Sequence, residues 1–301
     1  MHRIRTFVSR SVAVVALAAV AGAPLEAQAG NGAPQVGPAN GSLVVVGGNM
    51  SDPAIYARFI ELAGGPDASI VYIPTASGAP DYDQFCSCLN AWREHGARNI
   101  RVLHTYDPAV ADTEAFVAPL REATGVFFGG GRQWRLVDAY GGTRTEEAIR
   151  AVLDRGGVIG GSSAGASIQA SFLVRGDTNT NTIMMGDHQE GFGYLRGVGI
   201  DQHVLQRNRH FDLIEVVEAH PDLLGLGIDE NTALVVRGDQ AEVIGASYVL
   251  VYDRRSAVGD HGGPFYFLAP GDRFDLATRE AMRPTRAFTA LDNVRPRDGR
   301  E

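Results

Sequence analysis

Short apolar runs rich in valine and isoleucine recur along the first half of the chain, and amphipathic stretches separate most of them. The predicted strands are 43–47, 70–74, 100–103, 125–129 and 158–162, and the predicted helices are 54–63, 82–95, 113–123, 134–140 and 146–155. Because strands that alternate with helices over short connections form parallel sheets, this pattern predicts an α/β fold. We expect a doubly wound, mostly parallel sheet with helices on both faces, and ligands beyond the carboxyl ends of its strands. Shorter strands after residue 170 predict hairpins or a small mixed β extension, at 198–201, 226–229, 233–236, 242–244 and 248–252.

The first 29 residues have the features of a secretory signal peptide. Three arginines stand in the first ten residues, an apolar run follows at 12–23, and 27–29 is an A-x-A cleavage site. The run is short for a membrane span, which disfavours a retained anchor. We therefore expect a periplasmic or extracellular protein. Its predicted parts are the signal peptide at 1–29, a linker at 30–41, one folded domain at 42–283 and a polar tail at 284–301.

Charge and composition exclude several classes of function. The formal net charge is −8, and it becomes −10 once cleavage removes three arginines and one glutamate. An acidic protein of this kind is not a general binder of nucleic acid or of anionic membranes. All 27 basic residues are arginine. The absence of lysine excludes a serine–lysine dyad, a Schiff base and a phosphate-binding lysine of the Walker type.

A glycine-rich turn follows the predicted strand at 158–162 and leads into a helix. Residues 161–165 read Gly-Ser-Ser-Ala-Gly and fit the G-x-S-x-G pattern of a nucleophile elbow. Such a turn would expose Ser163 as a nucleophile and direct the amide of Ala164 at an oxyanion. The pentapeptide alone is equally compatible with a turn that has no chemical role, so the rest of the site decides.

His203 is the best candidate for the base that would activate Ser163. It follows an apolar strand within a polar segment, and imidazole accepts a hydroxyl proton near neutral pH. The other candidates, which we expect to be structural, are His104, His188, His210, His220 and His261. Asp229 and Glu230 end another apolar strand, and either carboxylate would orient the imidazole.

Several further residues are candidates for binding the substrate. Arg207 and Arg209 follow His203 closely, and two guanidinium groups suit a carboxylate. The glycine turn at 129–131 would add the amide of Gly131 to an oxyanion hole, and Gln133 would hold an amide or carboxylate. Surface salt bridges and an ordinary tight turn are the structural alternatives.

The chain contains two cysteines, Cys86 and Cys88. A bridge between them would close a very tight ring, and two sulfurs do not make a zinc site. We expect two thiols on or under a helix, with an intermolecular disulfide as the alternative.

Four motifs in the same order resemble the S51 serine peptidases, which include the cyanophycinases and aspartyl dipeptidases. The family's GGTSAGA elbow is close to 160–166, and its DQHF-x-x-R-x-R segment is close to 201–209. Its GIDE-x-T-A stretch matches 227–233, and its FFGGG-x-Q turn resembles 127–133. The resemblance covers about 43–252.

The resemblance implies a class I glutamine amidotransferase-like, flavodoxin-like α/β sandwich and a serine-type peptidase. It assigns the nucleophile to Ser163, the base to His203 and the orienting acid to Glu230, with a pocket lined by Gln133, Asp201, Gln202, Arg207 and Arg209. It implies hydrolysis beside aspartyl residues, of α- or β-aspartyl peptides or of a cyanophycin-like polymer, whose aspartate backbone carries arginine side chains. No metal or organic cofactor is implied, and a homodimer stays open.

The chain departs from the family pattern at two positions. Cyanophycinases tend to have another arginine where this chain has Asp212, and many relatives have an acidic or amide residue where it has Arg132. Two other functions remain open. One is an α/β-hydrolase-type esterase that uses Ser163, Asp229 and His261, and the other is a binding protein that has kept the scaffold. A glutamine amidotransferase is disfavoured because it needs cysteine at the elbow.

Overall fold

A computed structural model of the chain describes residues 35–255 and 263–284. The strands in these residues are β1 (Ser42–Val46), β2 (Ile70–Ile73), β3 (Ile100–Val102), β4 (Gly125–Phe128), β5 (Val158–Ser162), β6 (Ala170–Phe172), β7 (Leu195–Gln202), β8 (Leu224–Ile228), β9 (Thr232–Arg237), β10 (Gln240–Gly245), β11 (Val249–Asp253), β12 (Tyr266–Leu268), β13 (Arg273–Asp275) and β14 (Glu280–Met282). They form a nine-stranded sheet, in the order β14-β13-β10-β9-β1-β5-β4-β2-β3, and a five-stranded sheet, in the order β12-β11-β8-β7-β6.

The predicted parallel sheet forms the core of the larger sheet. β1 pairs in parallel with β5, β5 with β4, β4 with β2 and β2 with β3, whereas β9 joins the other edge of β1 antiparallel. Alternate residues of β1 face opposite sides: Leu43 and Val45 pack into one core cluster, and Val44 and Val46 into another. Because both faces are covered, the strand is an unbroken apolar run, as the sequence indicated.

The helices are α1 (Pro53–Ala63), α2 (Asn90–Glu94), α3 (Pro108–Ala111), α4 (Glu114–Glu122), α5 (Trp134–Tyr140), α6 (Arg144–Asp154), α7 (Ala164–Ser167) and α8 (Asp212–Ala219). Their ends follow ordinary capping chemistry. Asp52 accepts a hydrogen bond from the amide of Ala54, Pro53 begins α1, and Gly64 ends it with φ 111°. Thr113 caps α4, since its side chain accepts a hydrogen bond from the amide of Phe116.

The strands after residue 170 form more than the small extension that we expected. β6, β7 and β8 are parallel neighbours, and β11 and β12 continue the second sheet antiparallel. The parallel arrangement of β7 and β8 matters for function. Gln202 and Ile228 are paired in register, so the residues that follow them lie next to each other.

The segment 82–95 differs from its predicted single helix. Only the short 3₁₀ turn Ser87–Leu89 and α2 are helical. Cys86 and Cys88 form a disulfide, with Cα atoms 5.1 Å apart, so the interpretation as two free thiols was wrong. The reason is local: Cys86 caps the 3₁₀ turn, which brings the two Cα atoms within the range that a disulfide requires.

Some predictions concern residues outside the described part of the chain. The signal peptide, residues 30–34 of the linker, His261 and all but the first residue of the 284–301 tail lie there. Within the described residues, no helix combines the length and the apolar character needed to cross a bilayer.

Candidate active site

Ser163 occupies a tight turn between β5 and α7. Its backbone has φ 58° and ψ −112°, a strained conformation for a residue with a side chain. The neighbouring glycines are required by space: a Cβ atom on Gly161 would lie 2.0 Å from the carbonyl oxygen of Gly165, and one on Gly165 would lie 2.2 Å from that of Phe128. The turn therefore has the small residues and the strain that a nucleophile elbow needs.

His203 lies against Ser163 from the second sheet. Its Nε2 is 2.8 Å from Ser163 Oγ, and its Nδ1 is 2.6 Å from Oε1 of Glu230. A carboxylate at Glu230 accepts the proton of Nδ1, which leaves the lone pair of Nε2 to accept the hydroxyl proton of Ser163. The three side chains thus form a continuous hydrogen-bonded chain, although the residues are 40 and 27 positions apart.

Gly48, which the sequence analysis did not single out, supports the imidazole. A Cβ atom at this position would lie 2.1 Å from Cε1 of His203, and the backbone has φ 132°. The preceding residue also contributes, since the carbonyl of Gly47 accepts a 2.9 Å hydrogen bond from the amide of His203. The two glycines directly after the apolar β1 run were a visible signal for a close backbone approach.

The surroundings keep the imidazole of His203 neutral. Burial is the main cause that lowers its pKa below the usual 6.5, and the charges of Arg207 and Arg209 lower it further. The hydrogen bond and charge of Glu230 act in the opposite direction. Since the net direction is downward, His203 is available as a proton acceptor near neutral pH.

The structure brings Glu230 and not Asp229 to the imidazole. The carboxylate of Asp229 instead accepts hydrogen bonds from the amides of Leu205 and Gln206, at 3.0 and 2.9 Å, and from the hydroxyl of Ser247 at 2.7 Å. Asp229 therefore anchors the segment after His203. Its partner in the esterase hypothesis, His261, lies outside the described residues.

Unpaired backbone amides belong to the elbow and to the glycine turn beside it. A Cβ atom on Gly130 would lie 3.3 Å from Cβ of Ser163, so the glycine turn after β4 lies directly against the elbow. Within the described part of the chain, the amides of Gly130, Gly131 and Ala164 donate no hydrogen bond. Unpaired amides in this position are the donors that an oxyanion hole requires.

Arg207 and Arg209 lie close enough to His203 for their charges to act on its imidazole. Arg207 is exposed and its guanidinium donates no hydrogen bond to the described residues, whereas Nη1 of half-buried Arg209 binds the carbonyl and Oε1 of Gln202, at 3.3 and 3.0 Å. Neither guanidinium forms an ion pair with a carboxylate of the described residues. Two cations near His203 thus remain available for an anionic ligand.

Two residues that we expected to line the pocket lie beneath it. Asp201 is fully buried, and both of its carboxylate oxygens bind Arg175, at 2.7 and 3.0 Å. Gln133 is 1% exposed, and its Nε2 donates to the carbonyl of Val174. Neither side chain therefore faces solvent, because each is already hydrogen-bonded to a neighbouring chain segment.

The remaining candidates are placed as follows. Arg132 reaches from the glycine turn to the carbonyl of Asp177. His104 lies 2.9 Å from Thr75, and His188 lies between Asp138 and Asp187. Neither histidine contacts Ser163. Across the described residues, no group of three or more histidine, cysteine, aspartate or glutamate side chains is arranged to hold a metal ion.

Comparison with known proteins places this arrangement in context. The sequence profile described as "Peptidase family S51" matches residues 43–244. A cyanophycinase of Geminocystis herdmanii is 32% identical over 263 residues, which cover 80% of this chain and 96% of the relative. A cyanophycinase of Synechococcus elongatus is 34% identical over 268 residues, which cover 80% and 81%.

Solved structures show the same fold. A peptidase from an acI-B1 Actinobacterium superposes with a TM-score of 0.57 at 25% identity, covering 78% of this chain and 97% of that chain. A putative peptidase E protein from Listeria monocytogenes superposes with a TM-score of 0.50 at 16% identity, covering 69% and 99%. The second likeness bears on the fold alone. Together with the family match, these structures confirm the predicted flavodoxin-like, class I glutamine amidotransferase-like α/β fold.

Proposed function

The chain belongs to peptidase family S51 and is a serine-type peptidase, and from this premise we propose that it hydrolyses amide bonds of aspartyl residues through Ser163, His203 and Glu230. The observation that carries the proposal is the hydrogen-bonded chain of these three side chains beside two arginines that have no carboxylate partner among the described residues.

The proposed reaction is acyl transfer. His203 Nε2 takes the proton of Ser163 Oγ, and the oxygen attacks the carbonyl carbon of the scissile amide. Glu230 holds Nδ1–H and stabilises the imidazolium that forms. The amides of Ala164 and Gly131 bind the oxyanion, and Gly130 is close enough to contribute. His203 then protonates the leaving amine, and it afterwards activates the water that releases the acyl group from Ser163.

The proposed substrate class follows from the positive charge near His203. Arg207 and Arg209 fit a carboxylate next to the scissile bond, as an α- or β-aspartyl residue presents it. The likeness to two cyanophycinases supports a cyanophycin-like polymer or a dipeptide derived from it. Gln202 belongs to this binding set because it holds the guanidinium of Arg209.

A substrate panel tests the proposal. It contains α-aspartyl, β-aspartyl and non-acidic dipeptides, cyanophycin and simple esters, each offered to the wild type and to Ser163→Ala. We expect hydrolysis of aspartyl amides by the wild type alone. Hydrolysis confined to esters would favour the esterase hypothesis, and no turnover of any substrate would favour a binding protein.

A second set of variants tests the mechanism. We expect Ser163→Ala and His203→Ala each to lower kcat on the order of 10⁶-fold, and the double variant to lose little more, because such residues act as one unit. Circular dichroism should show an unchanged fold. Near-full activity of His203→Ala would move the base to another histidine.

We also propose that the protein is exported. The basic and apolar pattern of residues 1–29 supports this, and so does the disulfide between Cys86 and Cys88, since disulfides persist in oxidising compartments. Cell fractionation and N-terminal sequencing should find a processed protein outside the cytoplasm that begins near Gly30. An unprocessed cytoplasmic chain would contradict the proposal.

A further inference from the structure

Arg175 is the largest side chain among the fully buried residues of the described structure. It lies after β6, on the chain segment that precedes β7, with φ 59°, and no sequence motif singled it out. Its Nε and Nη2 bind the two oxygens of Asp201, Nη2 also binds Oδ2 of Asp212 at 2.5 Å, and Nη1 binds the carbonyl of Asn181 at 2.8 Å. A planar guanidinium can serve this many acceptors at once, whereas an ammonium group cannot.

The two carboxylates that Arg175 binds stand at opposite ends of one short segment. Asp201 is near the end of β7, and Asp212 is the first residue of α8. Between them, the 201–212 segment carries His203, Arg207 and Arg209. One buried cation thus ties together both ends of the segment that contributes the base and the two arginines without a carboxylate partner in the described structure.

We propose that Arg175 is a positioning residue for the hydrolysis, which acts by fixing the 201–212 segment so that Arg207 and Arg209 meet the substrate carboxylate. Asp201 and Asp212 act through Arg175 and do not contact the substrate. The inference rests on the proposed function because it assigns the arginine pair to substrate binding.

Charge supports this role. The fully buried Asp201 and the buried Arg175 neutralise each other, and Asp212 adds one negative charge beside Arg209. Burial and the charges of Arg175 and Arg207 lower the pKa of Arg209, whereas Asp201 and Asp212 counteract this. The two aspartates therefore allow three arginines to lie close together without strong mutual repulsion.

The role predicts an effect on KM more than on kcat. His203 has anchors of its own, in Glu230 and in the carbonyl of Gly47. Arg207 has no side-chain partner among the described residues, and Arg209 is held only by Gln202, so both depend on the path of the backbone. Loosening the segment should therefore disturb carboxylate binding before it disturbs proton transfer.

The principal test compares Arg175→Lys with Arg279→Lys. Arg279 is a matched control: it is also an arginine with positive φ, at 61°, its side chain is 9% exposed, and it forms an ion pair with buried Asp253. We expect Arg175→Lys to raise KM for the best aspartyl substrate about tenfold or more and to leave kcat within about threefold. Arg279→Lys should change neither, even if both variants lose similar thermal stability.

A second pair of variants covers the case in which Arg175→Lys does not fold. Asp212→Ala removes only the tie to α8, and Glu215→Ala removes another acidic residue from the first turn of the same helix. We expect KM to rise for Asp212→Ala by about threefold, which corresponds to part of one charge-assisted hydrogen bond, and to stay unchanged for Glu215→Ala. Equal behaviour of the two would overturn the inference.

Labelling of Ser163 separates failure of this inference from failure of the proposed function. A neutral and a carboxylate-bearing fluorophosphonate are compared by their labelling rates. The wild type should prefer the anionic reagent, and Arg175→Lys should lose that preference while its rate with the neutral reagent is retained. Aspartyl hydrolysis with an unchanged preference in Arg175→Lys overturns only the inference. A wild type with neither aspartyl hydrolysis nor anionic preference overturns both.

Discussion

At the scale of single residues, the site depends on backbone positions as much as on reactive side chains. Ser163 and His203 both have positive φ, and the imidazole lies directly against the Cα atom of Gly48. Strain at such positions is held by the surrounding fold, and it directs the two reacting side chains at each other. Gly48, which has no side chain, therefore sets how closely His203 approaches Ser163.

Gly48→Ala tests this dependence. The new methyl group would occupy the space of the His203 ring and would strain a backbone with φ 132°. We expect kcat to fall about 10²-fold, because small displacements of a catalytic group have effects of this size. Gly65→Ala is the control, since Gly65 also has positive φ but nothing within 4 Å of an added Cβ. Equal activity of the two variants would contradict the role of Gly48.

The pH dependence of kcat/KM follows from the lowered pKa of His203. The base must be neutral, so activity should be full above its pKa and fall as the pH drops through it. Because burial and the arginines move this pKa downward, the acid limb should lie below pH 6.5. Arg207→Gln removes one of the lowering charges and should shift the limb to higher pH. A limb at or above 6.5 in the wild type would contradict the burial argument.

At the scale of elements, the two neighbouring carboxylates after β8 have different roles. Glu230→Gln should lower kcat about 10⁴-fold, because an amide no longer enforces the tautomer that leaves Nε2 free. Asp229→Asn should act mainly on stability, lowering the free energy of unfolding by about 1–3 kcal/mol, since it weakens the hydrogen bonds to Leu205 and Gln206. Measurements of kcat and of thermal denaturation distinguish the two variants. A larger loss of kcat for Asp229→Asn than for Glu230→Gln would make Asp229 the orienting acid.

Strands were more predictable than the segments that join them. The run at 43–47 and the elbow strand are apolar on both faces, so their positions follow from composition alone. The helix α8 was missed although Leu213, Val216 and Val217 are buried at helical spacing. It directly follows a polar segment that carries His203 and the arginines, and its first residue, Asp212, stands where the family pattern has an arginine.

At the scale of the whole molecule, the site exists because two sheets meet. Ser163 follows a strand of the nine-stranded sheet, whereas His203 and Glu230 follow strands of the five-stranded sheet. The elbow pattern indicated Ser163, and the polar residues after apolar strands indicated His203 with either Asp229 or Glu230. The family resemblance then assigned the acid to Glu230. The pairing of Arg175 with Asp201 and Asp212, 26 and 37 residues away, could not be predicted, because local sequence carries no signal for such a long-range contact.

The overall charge of the protein and the charge of its site have opposite signs, which predicts a response to salt. The chain is formally −8, yet Arg207 and Arg209 present two cations near His203, so attraction of an anionic substrate is local. Raising the ionic strength from about 0.1 M to about 1 M shortens the screening length from about 10 Å to about 3 Å. We expect KM for aspartyl substrates to rise severalfold while kcat changes little. Arg207→Gln should start from a higher KM and respond less to salt, and an equal response in both proteins would place the carboxylate-binding charge elsewhere.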